Sequence, residues 1–203
     1  MQSDRWVFEK EAKARGFKSI AGIDEAGRGP LAGPVVSAAV ILPDNFAVPG
    51  ITDSKKLTHK KRRQLYVEIY AHATAVAIGI VDSPEIDRIN ILQAALQSMS
   101  LSVKSLFPQP DFLLIDGTFR IPSPLPQNPI VRGDNLSISI AAASIVAKVT
   151  RDSLMDIYHQ KYPQFGFGKH KGYPTRDHRA AIRKFGCCPI HRKSFKGVKE
   201  HLS

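Results

Sequence analysis

The chain has 203 residues, of which 43% are hydrophobic and 23% charged, a composition typical of a globular protein with a sizeable core. The formal net charge of +11 favours a nucleic-acid partner over a membrane, because no basic helix with a strong apolar face stands out. No apolar run approaches the roughly 20 residues of a membrane span, and residues 1–10 lack the apolar core of a signal peptide, so we expect a cytoplasmic protein. The adjacent Cys187 and Cys188 disfavour a disulfide between them, and the sequence assigns them no role.

The first half of the chain alternates between apolar strands and helical segments. Thr58 is placed to cap one helix, and Ser83 with Pro84 opens another whose apolar residues recur at helical spacing. The expected elements are a short helix over residues 4–15, strands over 20–24 and 35–42, a helix over 58–72, a strand over 75–81 and a helix over 83–106.

The second half contains one more strand that ends in a carboxylate and then a long helix. The strand covers residues 111–115 and leads into Asp116, whereas residues 121–129 hold four prolines and are predicted as a surface loop. A segment of small and apolar residues opens a central helix over residues 136–161. Strands and helices in this order favour an α/β fold, with a mixed sheet flanked by helices.

The last part of the chain carries most of the positive charge. Residues 161–199 hold eleven lysines and arginines against the single acid Asp177. This segment is therefore a candidate surface for binding a phosphate backbone.

Residues 19–30 form the stretch around which the chain is organised. Their apolar run ends in Asp24 and Glu25, and a Gly27-Arg28-Gly29 turn follows. Charges rarely lie beside a buried strand unless they are paired or bound to a metal. Two glycines let the backbone approach a ligand while the arginine binds a phosphate. An acidic strand end followed by an ordinary hairpin turn is the simpler interpretation.

Four acids, Asp24, Glu25, Asp116 and Asp134, lie where an apolar segment meets a turn or the start of a helix. If the two strands that end in acids are parallel neighbours, Asp24 and Asp116 lie side by side. Converging carboxylates need a cation, and a set of oxygen ligands favours Mg²⁺ or Mn²⁺ over zinc. Consecutive strand residues point to opposite faces, so we expect either a bulge at Asp24 and Glu25 or a contribution from the Glu25 backbone carbonyl.

Simpler interpretations stay open for two of these acids. Asp134 is placed to cap the helix that follows it, which is compatible with metal binding. Asp116 with Gly117 also fits a plain turn. Asp53 and Asp87 lie in polar surroundings and are predicted to be surface residues.

These segments resemble the type 2 ribonuclease H family, and within it the bacterial ribonucleases HII. The matching segments follow the family's order and together cover nearly the whole chain. Arg28 stands where the sister ribonucleases HIII typically carry lysine, and their large extra N-terminal domain has no counterpart in this sequence, which favours ribonuclease HII. The matching segments are residues 22–35, 53–57, 116–117, 133–134, 140–152, 170–175, His178 and residues 191–195.

The resemblance implies a ribonuclease H-like fold, with a mixed five-stranded sheet flanked by helices, over residues 1–160. A small basic helical portion over residues 161–203 is expected to pack on it within one structural unit. The implied activity is cleavage of RNA in RNA·DNA hybrids and incision on the 5′ side of a single ribonucleotide in duplex DNA, leaving 3′-hydroxyl and 5′-phosphate ends. A monomer is expected, and a replication partner stays open.

The family pattern also implies a role for each matching residue. The backbone of Gly27, Arg28 and Gly29 would read the 2′-hydroxyl, and Tyr173 would pack on the deoxyribose beyond the junction and bond the 2′-hydroxyl. Two divalent ions, Mg²⁺ or Mn²⁺, would be held by Asp24, Glu25, Asp116 and Asp134. The implied phosphate contacts are Lys55, Lys56, Ser144, Lys148, Arg151, Lys169 and Lys171.

Alternative roles and functions stay open. Tyr173 also fits a core aromatic residue beside Pro174, Lys148 and Arg151 fit salt-bridged helix residues, and Ser144 fits a small helix residue. A Holliday-junction resolvase or integrase core would use the same fold, but the Gly-Arg-Gly turn and Tyr173 argue against it. A non-catalytic basic nucleic-acid-binding protein would explain the charge but not the acids at strand ends.

Overall fold

A computed structural model of the chain describes residues 4–202 and contains one sheet of five strands at its centre. The strands are β1 (Ile20–Ala26), β2 (Val35–Ile41), β3 (Ala75–Val81), β4 (Phe112–Asp116) and β5 (Gln127–Ile130). They lie side by side in the order β3-β2-β1-β4-β5. β2 is antiparallel to both β1 and β3, whereas β4 is parallel to both β1 and β5. The predicted mixed five-stranded sheet is therefore confirmed.

Strand β5 begins within the segment for which the prolines predict a surface loop, and that prediction is wrong for residues 127–129. Pro129 lies opposite Ile115 in the register between β5 and β4. Proline is tolerated here because β5 is an edge strand, whose outer side needs no ladder hydrogen bond.

Helices cover both faces of the sheet. They are α1 (Val7–Ala14), α2 (His59–His72), α3 (Ser83–Ile89), α4 (Ile91–Lys104), α5 (Gly133–Leu136), α6 (Ile138–Lys161), α7 (Phe167–His170) and α8 (Arg176–Phe185), with short 3-10 turns at Ser54–Lys56, Pro163–Phe165 and Lys199–His201. The predicted cap of α2 is confirmed, since the Thr58 hydroxyl accepts the N–H of Lys61 at 3.2 Å.

The alternation of side chains along β2 divides the core into two layers. Ala38 and Val40 pack against α2 and α6, and we call this side of the sheet the α6 face. Ala39 and Ile41 pack against α4 on the opposite side, the α4 face. This division decides which site residues share a face, because successive residues of a strand point to opposite sides.

Strand β1 and helix α6 approach each other closely at Gly22. A Cβ atom added there would lie 2.1 Å from the carbonyl carbon of Ser139 and 2.3 Å from the amide nitrogen of Ile140. Only glycine fits where the strand crosses the first turn of the helix. The contact brings the strand that carries Asp24 next to the helix that follows Asp134.

The predicted helix over residues 83–106 is interrupted. Asn90, with φ of +69°, separates α3 from α4, and its side chain accepts the N–H of Leu92 at 3.0 Å. The cap of α3 is Asp82, so the prediction that Ser83 caps this helix is wrong. The sequence pattern does not indicate this break, because the apolar residues keep helical spacing across it.

The long central helix also begins differently from the prediction. Ser137 caps α6 by accepting the N–H of Ile140 at 3.2 Å, and Asp134 lies one turn earlier, in α5. The interpretation of Asp134 as the cap of the long helix is therefore wrong. Glu9 of α1 accepts hydrogen bonds from the hydroxyls of Ser137 and Ser139, which anchors α1 to the start of α6.

The segment after α6 packs back onto the rest of the chain. Phe165 and Phe167 are buried in one cluster with Met155 of α6, and His191 forms an isolated bridge with Ala32. The division of the chain near residue 160 stays a prediction. Within residues 4–202, no helix is both long and apolar enough to cross a membrane.

Candidate active site

Three of the four predicted acids lie together where β1 and β4 end. Ile23 is opposite Ile115 in the parallel register, so Asp24 and Asp116, the next residues, lie side by side as predicted. Ile23 packs on the α4 face, and Asp24 therefore points to the α6 face. Asp134 joins them from α5, and its N–H donates to Asp116 Oδ1 at 3.4 Å.

Burial makes the charge of these carboxylates costly. Only 5% of Asp24 and 4% of Asp134 is exposed. Burial, together with the charges of Glu25, Asp116 and Asp134, raises the pKa of Asp24 well above its usual range. Burial and the neighbouring Asp134 also raise the pKa of Asp116. A bound cation would stabilise the charged form of all these groups.

Lys55 is the cationic side chain that lies beside the acids. Its Nζ is 3.7 Å from Asp134 Oδ2. Burial opposes the charge of Lys55, but Asp24 and Asp134 raise its pKa overall. Asp53 caps the 3-10 turn that carries Lys55, accepting the Lys55 N–H at 2.9 Å. The prediction that Asp53 is a surface residue is wrong, since it is buried and fixes this turn.

Glu25 lies at the same strand end but on the opposite face. β1 pairs with β2 in an unbroken register from Ala21 to Ala26, so the predicted bulge is wrong. The Glu25 carboxylate accordingly points to the α4 face, where it lies 3.3 Å from the Arg28 guanidinium. Burial raises the pKa of Glu25, and Arg28 opposes that rise. The other expectation, that Glu25 contributes its backbone carbonyl, stays a prediction.

The donors at this strand end fit a hard divalent cation. Asp24, Asp116 and Asp134 offer carboxylate oxygens, and their mutual repulsion is what such an ion would relieve. Within residues 4–202, no three acidic, histidine or cysteine side chains lie close enough to enclose an ion by themselves. The acids therefore form an open set of oxygen ligands, which suits Mg²⁺ because that ion usually keeps waters and substrate phosphates in its shell.

The Gly27–Pro34 loop is held from inside the protein by Arg192, which is fully buried. Its guanidinium donates to the main-chain oxygens of Gly27 at 2.6 Å, Arg28 at 3.0 Å, Pro30 at 2.8 Å and Gly33 at 2.8 and 3.0 Å. A planar fork of five donors can satisfy several carbonyls at once, which an ammonium group cannot do in this geometry.

Arg151 supports the same loop from α6. It is also fully buried, and it donates to the oxygens of Pro34 at 3.0 Å, Ala32 at 3.1 Å and Lys171 at 3.0 Å. The predicted phosphate contact is therefore wrong for Arg151. The salt-bridge alternative is wrong as well, since the partners of its guanidinium are main-chain oxygens.

Carbonyls of the loop point towards the two arginines, so other main-chain groups of the loop remain available to bind a ligand. Arg28 and Gly29 are exposed, and their N–H groups donate to no acceptor within residues 4–202. Gly27 has φ of +102°, and a Cβ added there would lie 2.1 Å from Arg151 Nε. Glycine at this position therefore permits both the turn and the close contact beneath it.

Tyr173 borders this loop on its exposed side. The residue is 42% exposed, so the interpretation as a core aromatic is wrong. A Cβ added at Gly29 would lie 3.8 Å from Tyr173 Cε1, and the Lys148 Nζ is 5.8 Å from the ring centre. The carbonyl of Gly172 accepts the N–H of Leu31 at 2.8 Å, which joins the tyrosine segment to the loop.

The remaining residues predicted to contact phosphates differ in their exposure and in the partners of their polar groups. Lys55 and Lys56 are exposed near the acids. Ser144 is buried, and its hydroxyl donates to that of Ser54 at 2.8 Å, which contradicts a phosphate contact and agrees with a small helix residue. The other lysines form ion pairs, namely Lys148 with Asp152, Lys169 with Asp177 and Lys171 with Asp156.

The sequence did not reveal the part that Arg192 plays in the site. Arginine is usually exposed, so composition and spacing give no reason to place one beneath a glycine-rich turn. The only signal is that Arg192 belongs to one of the segments that carry the family resemblance. Asp87, predicted as a surface residue, accepts the N–H groups of Lys193 and Ser194 at 2.8 and 2.9 Å and so anchors the segment around Arg192.

Comparison with known proteins shows the family to which the chain belongs. The family model described as ribonuclease HII matches residues 21–198. The ribonuclease HII of Syntrophus aciditrophicus (strain SB) is 58% identical over 189 residues, which are 93% of this chain and 89% of the relative.

Solved structures agree in fold. The ribonuclease H2 of Pyrococcus horikoshii OT3 has a TM-score of 0.75 and 25% identity, covering 90% of this chain and 96% of its own. The ribonuclease HII of Archaeoglobus fulgidus, solved as a complex with PCNA, has a TM-score of 0.72 and 26% identity, covering 88% and 96%. Because the matched residues include both acidic strand ends and the loop that Arg192 holds, the chain belongs to the ribonuclease HII family.

Proposed function

We propose that this enzyme incises duplex DNA on the 5′ side of a single embedded ribonucleotide and leaves 3′-hydroxyl and 5′-phosphate ends. The coarser activity follows from family membership, which makes the chain a divalent-metal-dependent endoribonuclease that acts on RNA in RNA–DNA hybrids. The observation that carries the finer proposal is the exposed surface formed by Gly29 and Tyr173, directly after the acidic end of β1.

Recognition of one ribonucleotide in DNA depends on its 2′-hydroxyl, because no other group of the sugar–phosphate backbone differs. The N–H groups of Arg28 and Gly29 are exposed donors on a loop whose carbonyls are already bonded to Arg192 and Arg151. We propose that they bind the 2′-hydroxyl and the adjacent phosphate, while Tyr173 packs on the sugar beyond the junction. A rigid loop supports this proposal, because N–H donors that are already fixed in position lose little conformational entropy when they bind a ligand.

The four acids are proposed to hold two divalent ions, Mg²⁺ or Mn²⁺. When bound, such ions supply a hydroxide nucleophile from water and stabilise the leaving 3′ oxygen. Asp24 and Asp116 lie side by side and Asp134 adjoins Asp116, so these three would hold the ions where β1 and β4 end. Glu25 would contribute its backbone carbonyl, since its side chain lies against Arg28 on the α4 face.

Lysines around the site are proposed to bind phosphates without reading sequence. Lys55 and Lys56 lie on the side of Asp134, and Lys148 lies near the ring of Tyr173. Lys169 and Lys171 follow on the basic C-terminal side, where each would exchange its ion pair for a phosphate.

One set of substrates tests the proposal. Duplex DNA with one ribonucleotide is compared with an all-DNA duplex, an RNA·DNA hybrid and a four-way junction, each with and without Mg²⁺. We expect a metal-dependent cut on the 5′ side of the ribonucleotide, with a 3′ end that a DNA polymerase can extend. Cleavage of the four-way junction would favour a resolvase, and binding without cleavage of any substrate would favour a non-catalytic protein.

The proposal extends to the partner, the oligomeric state and the location of the enzyme. The Archaeoglobus fulgidus relative was solved with PCNA, which supports a replication partner for this chain too. We propose that the enzyme is a monomer in the absence of such a partner and that it is cytoplasmic. Sedimentation at several protein concentrations would test the oligomeric state.

A further inference from the structure

Two buried histidines outside the acid site connect the C-terminal segment to the main chain of Tyr173. His178 Nδ1 lies 2.9 Å from the Tyr173 carbonyl oxygen, and His178 Nε2 lies 3.1 Å from His191 Nε2. His191 Nδ1 lies 2.9 Å from the N–H of Cys188. Three contacts of hydrogen-bond length therefore run in a row from Cys188 to Tyr173.

The donors fix the direction of this row. The Cys188 N–H can only donate, so His191 Nδ1 accepts and the proton of His191 lies on Nε2. That proton points at His178 Nε2, which accepts, so the proton of His178 lies on Nδ1 and is donated to the Tyr173 oxygen. Both imidazoles are neutral in this arrangement, and every ring nitrogen is satisfied.

Packing keeps the two rings in place. His178 and His191 are 0% and 1% exposed, and His178 stacks on His170 with ring centres 4.5 Å apart. The titratable groups that face the pair within residues 4–202 are His170 and the Cys188 thiol. Burial lowers the pKa of both His178 and His191 to about 4, which agrees with neutral rings at pH 7.

The main chain of Tyr173 is thus held at three consecutive positions. The carbonyl of Gly172 accepts from Leu31 at 2.8 Å, and the Tyr173 N–H donates to the His170 oxygen at 2.9 Å. The Tyr173 carbonyl accepts from His178 Nδ1 at 2.9 Å and also from the N–H of Thr175 at 2.8 Å, so His178 supplies the side-chain donor of the two. The backbone is fixed while the ring stays exposed, so the direction in which the ring points depends on these bonds.

We propose that His178, kept in one tautomer by His191, is a positioning residue for Tyr173 and thereby sets the rate of incision at a ribonucleotide–DNA junction. His178 touches no substrate in this scheme and acts only through the carbonyl it binds. This inference rests on the proposed function of Tyr173, so its test must separate the two.

A matched pair of variants isolates the hydrogen bond. His178→Asn keeps an N–H donor near the position of Nδ1, whereas His178→Leu has nearly the same volume and no donor. We expect His178→Leu to lower kcat on the single-ribonucleotide duplex about tenfold with little change in KM, because a small misplacement of a positioning group is costly. His178→Asn should recover most of that loss.

A double-mutant cycle with Tyr173→Ala separates positioning from general destabilisation. If His178 acts through the tyrosine, His178→Leu should cost less than about twofold in kcat once Tyr173 is alanine. Val103→Ala, a buried position of α4 in the core layer of the α4 face, is the control and should cost the same in both backgrounds. Unfolding curves identify any variant that fails to fold.

The results of these experiments distinguish failure of the positioning role of His178 from failure of the proposed function of Tyr173. Equal losses from His178→Leu in both backgrounds, or failure of His178→Asn to recover activity in a folded protein, would overturn the positioning role. If Tyr173→Ala alone leaves junction incision unchanged, the proposed function of the tyrosine fails first, and the role assigned to His178 fails with it.

Discussion

Asp116 is the acid whose charge can be removed with least change of shape. It ends β4 beside Asp24 and accepts the N–H of Asp134 through Oδ1. Asp116→Asn keeps that acceptor but removes a negative charge that the ions require. We expect cleavage of the hybrid to fall by at least about a thousandfold while the Kd for the hybrid changes little.

Activity and gel-shift assays on the same preparation check this prediction. Asp44→Asn is a suitable control, because it removes an exposed carboxylate on the Pro43 turn. Retained activity with lost binding would contradict a role for Asp116 in holding metal.

Arg192 offers a second prediction at the scale of one residue. Its buried guanidinium makes five hydrogen bonds to four carbonyls of the Gly27–Pro34 loop. Arg192→Lys keeps the charge but cannot reproduce the fork, so several carbonyls and a buried charge lose partners. We expect a loss of about 2–4 kcal/mol in the free energy of unfolding, measured with urea, and a larger loss of activity on single ribonucleotides than on long hybrids.

Arg63→Lys makes the same chemical change at an exposed position of α2 and should leave both quantities nearly unchanged. Equal changes in stability and activity in the two variants would show that Arg192 has no specific role in supporting the loop.

At the scale of elements, the crossing of β1 and α6 sets the distance between the acids. Gly22→Ala would place a methyl group 2.1 Å from the Ser139 carbonyl carbon, a backbone atom that can yield only if strand and helix separate. We expect a cost of about 2–4 kcal/mol in the free energy of unfolding and a loss of metal-dependent activity. Gly50→Ala, with a positive φ but no contact nearer than 3.5 Å, should cost only about 1 kcal/mol.

The contact between α8 and residues 188–191 makes stability depend on pH. Burial lowers the folded-state pKa of His178 and His191 to about 4, from an ordinary value of 6.5. The unfolded chain therefore binds these protons at higher pH than the folded chain does. The contribution of the pair to stability is complete above about pH 6.5 and is lost as the pH falls towards 4.

Urea unfolding at pH 7 and pH 5 measures this dependence. His178→Leu removes one of the titrating groups, so the loss of stability between the two pH values should be smaller in the variant by about 2 kcal/mol. An identical loss in the wild-type protein and in His178→Leu would show that acidic groups elsewhere account for the dependence.

The elements that the sequence predicts correctly are those in which pattern and local chemistry agree. Strand β3 and helix α2 have the expected bounds, because a continuous apolar run and a threonine cap are local signals. Strand β5 was missed because it is short, pairs with β4 in parallel without a hairpin turn to mark it, and contains a proline that is acceptable only at a sheet edge. The opposite faces of Asp24 and Glu25 follow from strand alternation, whereas the register that excludes a bulge is a tertiary property.

The buried arginines show where inference from sequence stops. Arg151 and Arg192 belong to segments that resemble the family, and a basic residue near a nucleic-acid site is ordinarily assigned to a phosphate. All their partners except the Lys171 carbonyl are carbonyls of a loop more than a hundred residues away in sequence. No local pattern encodes such a pairing, so only the folded chain reveals that the two residues support the loop.

At the scale of the whole molecule, the acidic side chains of the site and the basic side chains that would bind phosphates lie on different segments. The acids gather at the ends of β1 and β4, and the basic C-terminal segment continues from Tyr173 into α8. On α8, Arg179 and Arg183 are exposed one turn apart and so share a face of the helix. A duplex that reaches the acids along Tyr173 would therefore meet this basic face.

Salt dependence of binding tests that arrangement. In the Asp116→Asn background, which prevents cleavage, the double variant Arg179→Gln with Arg183→Gln should reduce the slope of log Kd against log salt concentration by roughly 2, because two phosphate contacts no longer release counterions. Lys18→Gln with Lys104→Gln lowers the net charge equally, but these exposed lysines lie near the start of β1 and the end of α4, at the other end of the sheet. That control should change the slope by less than about 0.5, since distant charges are screened at these ionic strengths. Equal changes in both double variants would mean that net charge alone attracts the duplex and that α8 is no docking surface.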